Sequence, residues 1–116
     1  MIQLILPLTL QAAALSPELH PPVLLFANDQ AIDVVTGHAA PHFIDFDGDG
    51  LRDLLVGEFG DGDFPVERLP ESERSHPDFA QGRLRIYRNV GSNTAPEFKD
   101  FEYLRAGKEF ASIPTT

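Results

Sequence analysis

Apolar positions along the chain fall into short runs broken by turn residues, with no sustained 3.6-residue period. After Pro21-Pro22, residues 23–26 are apolar, Ala27-Asn28-Asp29-Gln30 is a turn, and residues 31–35 are mostly apolar again, which predicts a β-hairpin. Residues 41–46 predict a third strand and 54–59 a fourth, with an acidic, glycine-rich stretch between them. Residues 82–88 alternate, with Leu84, Ile86 and Arg88 on one side and Arg83, Arg85 and Tyr87 on the other. Residues 98–105 predict a sixth, aromatic strand. The stretch 61–81 is different: three prolines, several charges and no apolar period. It reads as a surface loop inserted between two strands, with room for a helical turn or two in 66–75. So long an irregular stretch points to function or disorder.

A faint internal repeat accompanies this pattern. Residues 27–34 can be laid on 106–113, an offset of 79 residues (106 minus 27). A turn falls at the same place in both, and Leu25 and Val34 correspond to Leu104 and Ile113. On that reading the chain enters a second copy near its end, and a second acidic loop is due about eight residues beyond Thr116 (45 + 79 = 124).

Composition narrows the function classes. A chain of 116 residues has room for one small domain, and 42% apolar residues with 9 Gly and 10 Pro imply a thin core and many turns. The net charge of −9 argues against nucleic acid and against anionic membrane surfaces, both of which need a basic face. Seven acids between Asp45 and Asp63 against the single Arg52 place −6 of that charge in one stretch. The absence of cysteine excludes disulfides, thiolate metal sites and a Cys nucleophile. No charged residue precedes Glu18, residues 2–10 are mostly apolar, and Ala12-Ala13-Ala14 offers a peptidase site. That run is too short to span a bilayer as a helix, so residues 1–14 read as a secretory signal, although no Lys or Arg stands near Met1. An extracytoplasmic protein is expected, without membrane insertion.

The strongest motif is Asp45-Phe46-Asp47-Gly48-Asp49-Gly50-Leu51-Arg52-Asp53. Carboxylates at loop positions 1, 3, 5 and 9 can converge on one point if the backbone coils tightly. Gly48 and Gly50 permit the left-handed angles that such coiling needs. Oxygen donors suit a hard cation, and Ca²⁺ takes six to eight of them; the Leu51 carbonyl at position 7 would add another. Mg²⁺ fits less well because it demands a tighter octahedron and keeps its waters. Asp and Gly also suit a plain hairpin turn, but no hairpin requires four acids at this spacing. An EF-hand needs a bidentate Glu at position 12, where Val56 stands, and flanking helices where strands are expected.

Asp45 to Asp53 followed by Leu54-Leu55-Val56-Gly57 resembles the FG-GAP or VCBS repeat of integrin α-subunit propellers and many secreted bacterial proteins. The run Gly82-Arg83-Leu84-Arg85-Ile86-Tyr87-Arg88-Asn89-Val90-Gly91 with Pro96-Glu97-Phe98 is similar to the second half of that repeat. The resemblance covers residues 37 to about 98, with 61–81 as a departure. It implies an all-β fold, an antiparallel four-stranded β-propeller blade in a partial propeller, with Ca²⁺ in the loop between two strands. Its ligands would be Asp45, Asp47, Asp49 and Asp53 with the Leu51 carbonyl. The chain then divides into a signal at 1–14, a hairpin from a neighbouring blade at 15–36, a blade at 37–105 with its insertion at 61–81, and the start of a next repeat at 106–116.

Other residues offer less. His20, His38, His42 and His76 are scattered, with no close pair or triad for zinc. Glu67, Glu71 and Glu73 lie in the insertion, where a solvated loop face is the simpler reading than acid–base carboxylates. Ser16, Ser72, Ser75, Ser92 and Ser112 have no G-x-S-x-G context. Phe98, Phe101 and Tyr103 could stack a ligand, but an aromatic strand is more often core. The expected function is a non-enzymatic calcium-binding module of an exported protein, an adhesion or interaction scaffold. Its partners would be other blades of the same parent chain, copies of itself, or a protein or glycan ligand. The alternative is a non-catalytic part of an exported propeller enzyme, for example one acting on polysaccharide.

Overall fold

The computed structural model describes residues 18–75 and 78–115, so the expected signal at 1–14 and His76 lie outside it. Among the described residues the fold is all-β, with a curled half-barrel sheet and no α-helix. Nine strands follow in chain order: β1 (Phe26–Ala27), β2 (Gln30–Ala31), β3 (Ala40–Ile44), β4 (Asp53–Glu58), β5 (Ala80–Asn89), β6 (Phe98–Tyr103), β7 (Arg105–Ala106), β8 (Glu109–Phe110) and β9 (Ile113–Thr115). Strands β3, β4, β5 and β6 form an antiparallel meander in sequence order. The β1–β2 hairpin extends it beside β6, and β9 pairs with the start of β5.

Burial follows from the meander's register. Leu54 of β4 stands opposite Tyr87 of β5, and Tyr87 stands opposite Phe101 of β6. With Val56 and Phe98 these residues make the core of one face, and Ala27, Ile32, Val34 and Phe101 pack against it. Leu55 and Ile86, paired on the other face, are buried as well. β4 is therefore covered on both sides, which explains its unbroken apolar run Leu54-Leu55-Val56 where a one-sided strand would alternate.

The same core face contains a buried ion pair that alternation does not reveal. Arg85 Nη2 lies 2.7 Å from Glu58 Oε2. Its Nη1 donates to the Asp33 carbonyl at 2.7 Å, and its guanidinium lies 4.3 Å from the Phe101 ring centre. Tyr103 donates its hydroxyl to Glu58 Oε1 at 2.6 Å. Burial opposes the Arg85 charge, but hydrogen bonds to Glu58 and Tyr87 outweigh it and hold the guanidinium firmly protonated.

Several expected elements differ in extent. The first hairpin is two residues per strand, because Asn28 and Asp29, both at positive φ, close a tight turn and β1 meets an edge only at Phe98. Val23 and Leu24, expected in a strand, are exposed and unpaired. The β1–β6 contact is parallel, a single pair at Ala27 and Phe98, and joins the hairpin to the antiparallel meander. The third strand ends at Ile44 and not at residue 46, because the acidic coil begins at Asp45. The insertion has 3-10 turns at Val66–Arg68 and Glu71–Glu73, but it is not a purely surface loop. Phe64 and Leu69 are buried, and Arg68 donates to the Ser112 hydroxyl and carbonyl at 2.9 and 2.8 Å.

Removing Glu58 would leave the Arg85 charge buried without a counter-ion. Glu58→Ala is expected to lower unfolding stability by about 3 kcal/mol, measured by urea denaturation, with Glu58→Gln intermediate because it keeps an acceptor for Tyr103.

Candidate metal centre

The acidic motif folds into a coil that joins β3 to β4, wound by its own carboxylates. Asp45 Oδ1 accepts the Gly48 and Asp49 amides at 2.8 and 3.1 Å, and its Oδ2 accepts Gly50 at 2.9 Å. Asp47 Oδ1 accepts the Asp49 amide at 3.1 Å, and Asp49 Oδ1 accepts the Leu51 amide at 2.8 Å. Each acid so bends the chain ahead of it. Gly48 and Gly50 take φ of 79° and 88°, the left-handed angles expected from the sequence.

This winding gathers Asp45, Asp47 and Asp49. Each offers a carboxylate oxygen, and the three oxygens lie within 4.8 Å of one another. Among the described residues no other group of three or more His, Cys, Asp or Glu comes together in this way. Like charges at that spacing repel by roughly 1–3 kcal/mol per pair at a wet surface. The donor set is all hard oxygen, mostly exposed, and suits Ca²⁺ in kind.

Asp53 is placed elsewhere. It is 0% exposed, opens β4 and pairs across to Ile44. Its Oδ2 accepts the Phe46 amide at 3.1 Å and its Oδ1 the Asn89 amide at 2.8 Å. It pins both ends of the coil to the end of β5 and stands outside the group of three. Leu51 lies half-buried beside Asp49, to which it gives its amide.

Three supporting residues had no signature in the sequence. Arg88 donates to Asp47 Oδ2 at 2.8 Å and to Glu102 Oε1 at 2.8 Å, and lies 5.1 Å from the Phe46 ring centre. Arg52, the only cation within the motif, is exposed. Asn93 accepts the Arg52 amide at 2.8 Å and donates to the Gly50 carbonyl at 2.9 Å. Asn89 donates to the carbonyls of Arg52 and Ser92. The turn 89–93 thus clamps the acidic coil from 41 residues away.

The remaining candidates stay apart from this group. His38 stacks on Phe59 with centroids 4.3 Å apart, and His42 sits in exposed β3 opposite Leu55. Glu67, Glu71 and Glu73 are exposed in the insertion, and Ser112 is buried against Arg68. Phe98, Phe101 and Tyr103 belong to the packed aromatic side of the sheet. No described helix is long and apolar enough to cross a membrane. Comparison with protein families, with curated proteins and with solved structures found no match to this chain.

The two kinds of aspartate should separate in experiment. Asp53→Asn is expected to destabilise the metal-free protein by about 1–3 kcal/mol, because a buried acceptor is exchanged for an amide that must also place donors. Asp49→Asn should leave the metal-free melting curve nearly unchanged. Arg88→Met removes a cation from Asp47 and should tighten calcium binding a few-fold, read by calorimetry at low salt.

Proposed function

We propose that this chain is a calcium-binding β-propeller repeat unit of an exported protein and serves as a non-enzymatic adhesion or interaction scaffold. The observation that carries the reading is the wound coil itself. It holds three carboxylate oxygens within 4.8 Å of one another, between adjacent strands of a four-stranded antiparallel meander. Asp45, Asp47 and Asp49 would hold the ion, with the Leu51 carbonyl and water filling the shell. Asp53 would act from behind by fixing the coil, and would reach the ion only by releasing one of its amides. Calcium, when bound, supplies the positive charge that lets three carboxylates share one point.

The scaffold role follows from what such an ion would stiffen. It would lock the crossing from β3 to β4 at the rim of the sheet, where the exposed turns 46–52 and 90–97 lie side by side. Those turns are the surface offered to a protein or glycan. Export rests on the leader-like run at residues 1–14.

Calorimetric titration with Ca²⁺ is expected to show one site with a Kd of roughly 10⁻⁶–10⁻³ M. Thermal melting should rise with Ca²⁺ and fall back with chelator. Asp47→Ala should weaken binding at least tenfold. Identical melting curves with calcium and with chelator would refute the site.

A further inference from the structure

Two hairpins of this chain share one geometry. β1–β2 pairs Phe26 with Ala31 and Ala27 with Gln30; β7–β8 pairs Arg105 with Phe110 and Ala106 with Glu109. Every partner is displaced by 79 residues (105 minus 26, 110 minus 31). Below each hairpin an amide closes on a carbonyl at 2.8 Å: Ile32 on Leu25, and Ala111 on Leu104, again 79 apart (111 minus 32). One residue further, the Asp33 carbonyl accepts from Arg85 at 2.7 Å and the Ser112 carbonyl from Arg68 at 2.8 Å. The turns differ, with two positive-φ residues in the first and only Gly107 in the second. The faint sequence repeat is therefore a clear structural one.

What lies beneath the two hairpins differs. Under the first, Ala27, Ile32 and Val34 pack on the core face, and Ala27 stands beside Phe98 at the start of β6. Under the second there is no such face. Ala106 is exposed, Ile113 is 66% exposed, and β7 and β8 pair only with each other among the described residues. Between residues 104–113 and their own sheet an apolar groove of about 400 Å³ stays open, lined by Leu104, Ala111 and Ile113 against Ala40, Gly57 and Leu84. The segment is tethered without being packed down, by Phe110 against Tyr103 (5.5 Å) and by β9 on the start of β5.

We propose that residues 104–113 are a docking wedge for the sheet of a second copy of this unit. Ala106 lies beside the start of that copy's β6, and Ala111 and Ile113 lie on its Leu54–Val56–Tyr87–Phe98 face. They take the place that residues 25–34 occupy on the sheet described above. Arg85 of the second copy donates to the Ser112 carbonyl, which here accepts from Arg68 of the insertion. The contact is heterologous, so it builds a directed head-to-tail series. It extends the repeat-unit reading, but it rests on strand register and not on the ion.

The absence of cysteine makes disulfide trapping clean. A donor chain carries Ala106→Cys. A receiver chain carries Lys99→Cys together with Ile32→Asp and Val34→Asp, which unseat its own residues 25–34 from the core face. The mixture is expected to give a mixed disulfide several-fold above that of a receiver with Asn93→Cys in place of Lys99→Cys, and Ile113→Asp in the donor should abolish the excess. Yields equal to the control from a folded receiver would overturn the wedge. If circular dichroism shows that the receiver does not fold, the test passes to the full chain extended directly after Thr116 by a second copy of residues 38–103. There Ile113→Asp should lower the melting temperature by ~5 °C while leaving the unextended chain unmoved; an equal response in both overturns the proposal. Both tests run in chelator, so a failed wedge and a failed calcium site give separate results.

Discussion

The arrangement turns on the carboxylate of Asp53. It is fully buried, and its two oxygens hold the amides of Phe46 and Asn89. One bond closes a loop of seven residues from the start of the acidic coil to the start of β4, and the other ties that closure to the end of β5. With both ends fixed, the residues between them must coil, and the Asx-type bonds of Asp45, Asp47 and Asp49 set the way they do so. A buried polar group costs free energy unless it is hydrogen-bonded, and both oxygens of Asp53 are, so the post that fixes the coil is itself satisfied.

Arg88 bridges the acidic coil and β6. The repulsion among three carboxylates is met by five hydrogen bonds from four backbone amides of the coil and by one guanidinium shared with Glu102. Those bonds leave Asp49 Oδ2 without a recorded donor and Asp47 Oδ2 with Arg88 alone. Both are oxygens that an entering cation could take, the second by displacing one partly exposed side chain. The amide bonds fix the backbone, and the exchangeable interactions lie outermost. An ion taken up there would exchange with the outermost contacts and leave the backbone bonds of the coil in place.

The sequence revealed what depends on local chemistry and hid what depends on distant pairing. The coil was readable because its acids and glycines act on neighbours within five residues. The central strand was readable because a strand covered on both faces must be continuously apolar. Arg85 was assigned a side of β5 correctly, but nothing in its spacing showed that Glu58, 27 positions earlier, would bury with it (85 minus 58). Asp53 looked like a fourth ligand because it sits at position 9, and its burial depends on Asn89, which no local rule connects to it. Phe64 and Leu69 were isolated apolar residues in a polar insertion, and only their contacts with the sheet make them anchors.

The two hairpins give the fold a direction. The first packs Ala27, Ile32 and Val34 on the sheet that follows it in the chain, and the corresponding Ala106, Ala111 and Ile113 of the second have no such core cluster among the described residues. On the repeat reading proposed above, a unit's core would be completed by residues that precede it, and stability would pass from each unit to the next. The exposed edge fits the same logic. All five residues of β3 are exposed, and Phe43, Ile44 and Phe46 present apolar surface beside the acidic coil. An open apolar edge invites unwanted pairing unless something covers or repels it. The coil's negative charge stands at one end of that edge, where it would discourage random strands.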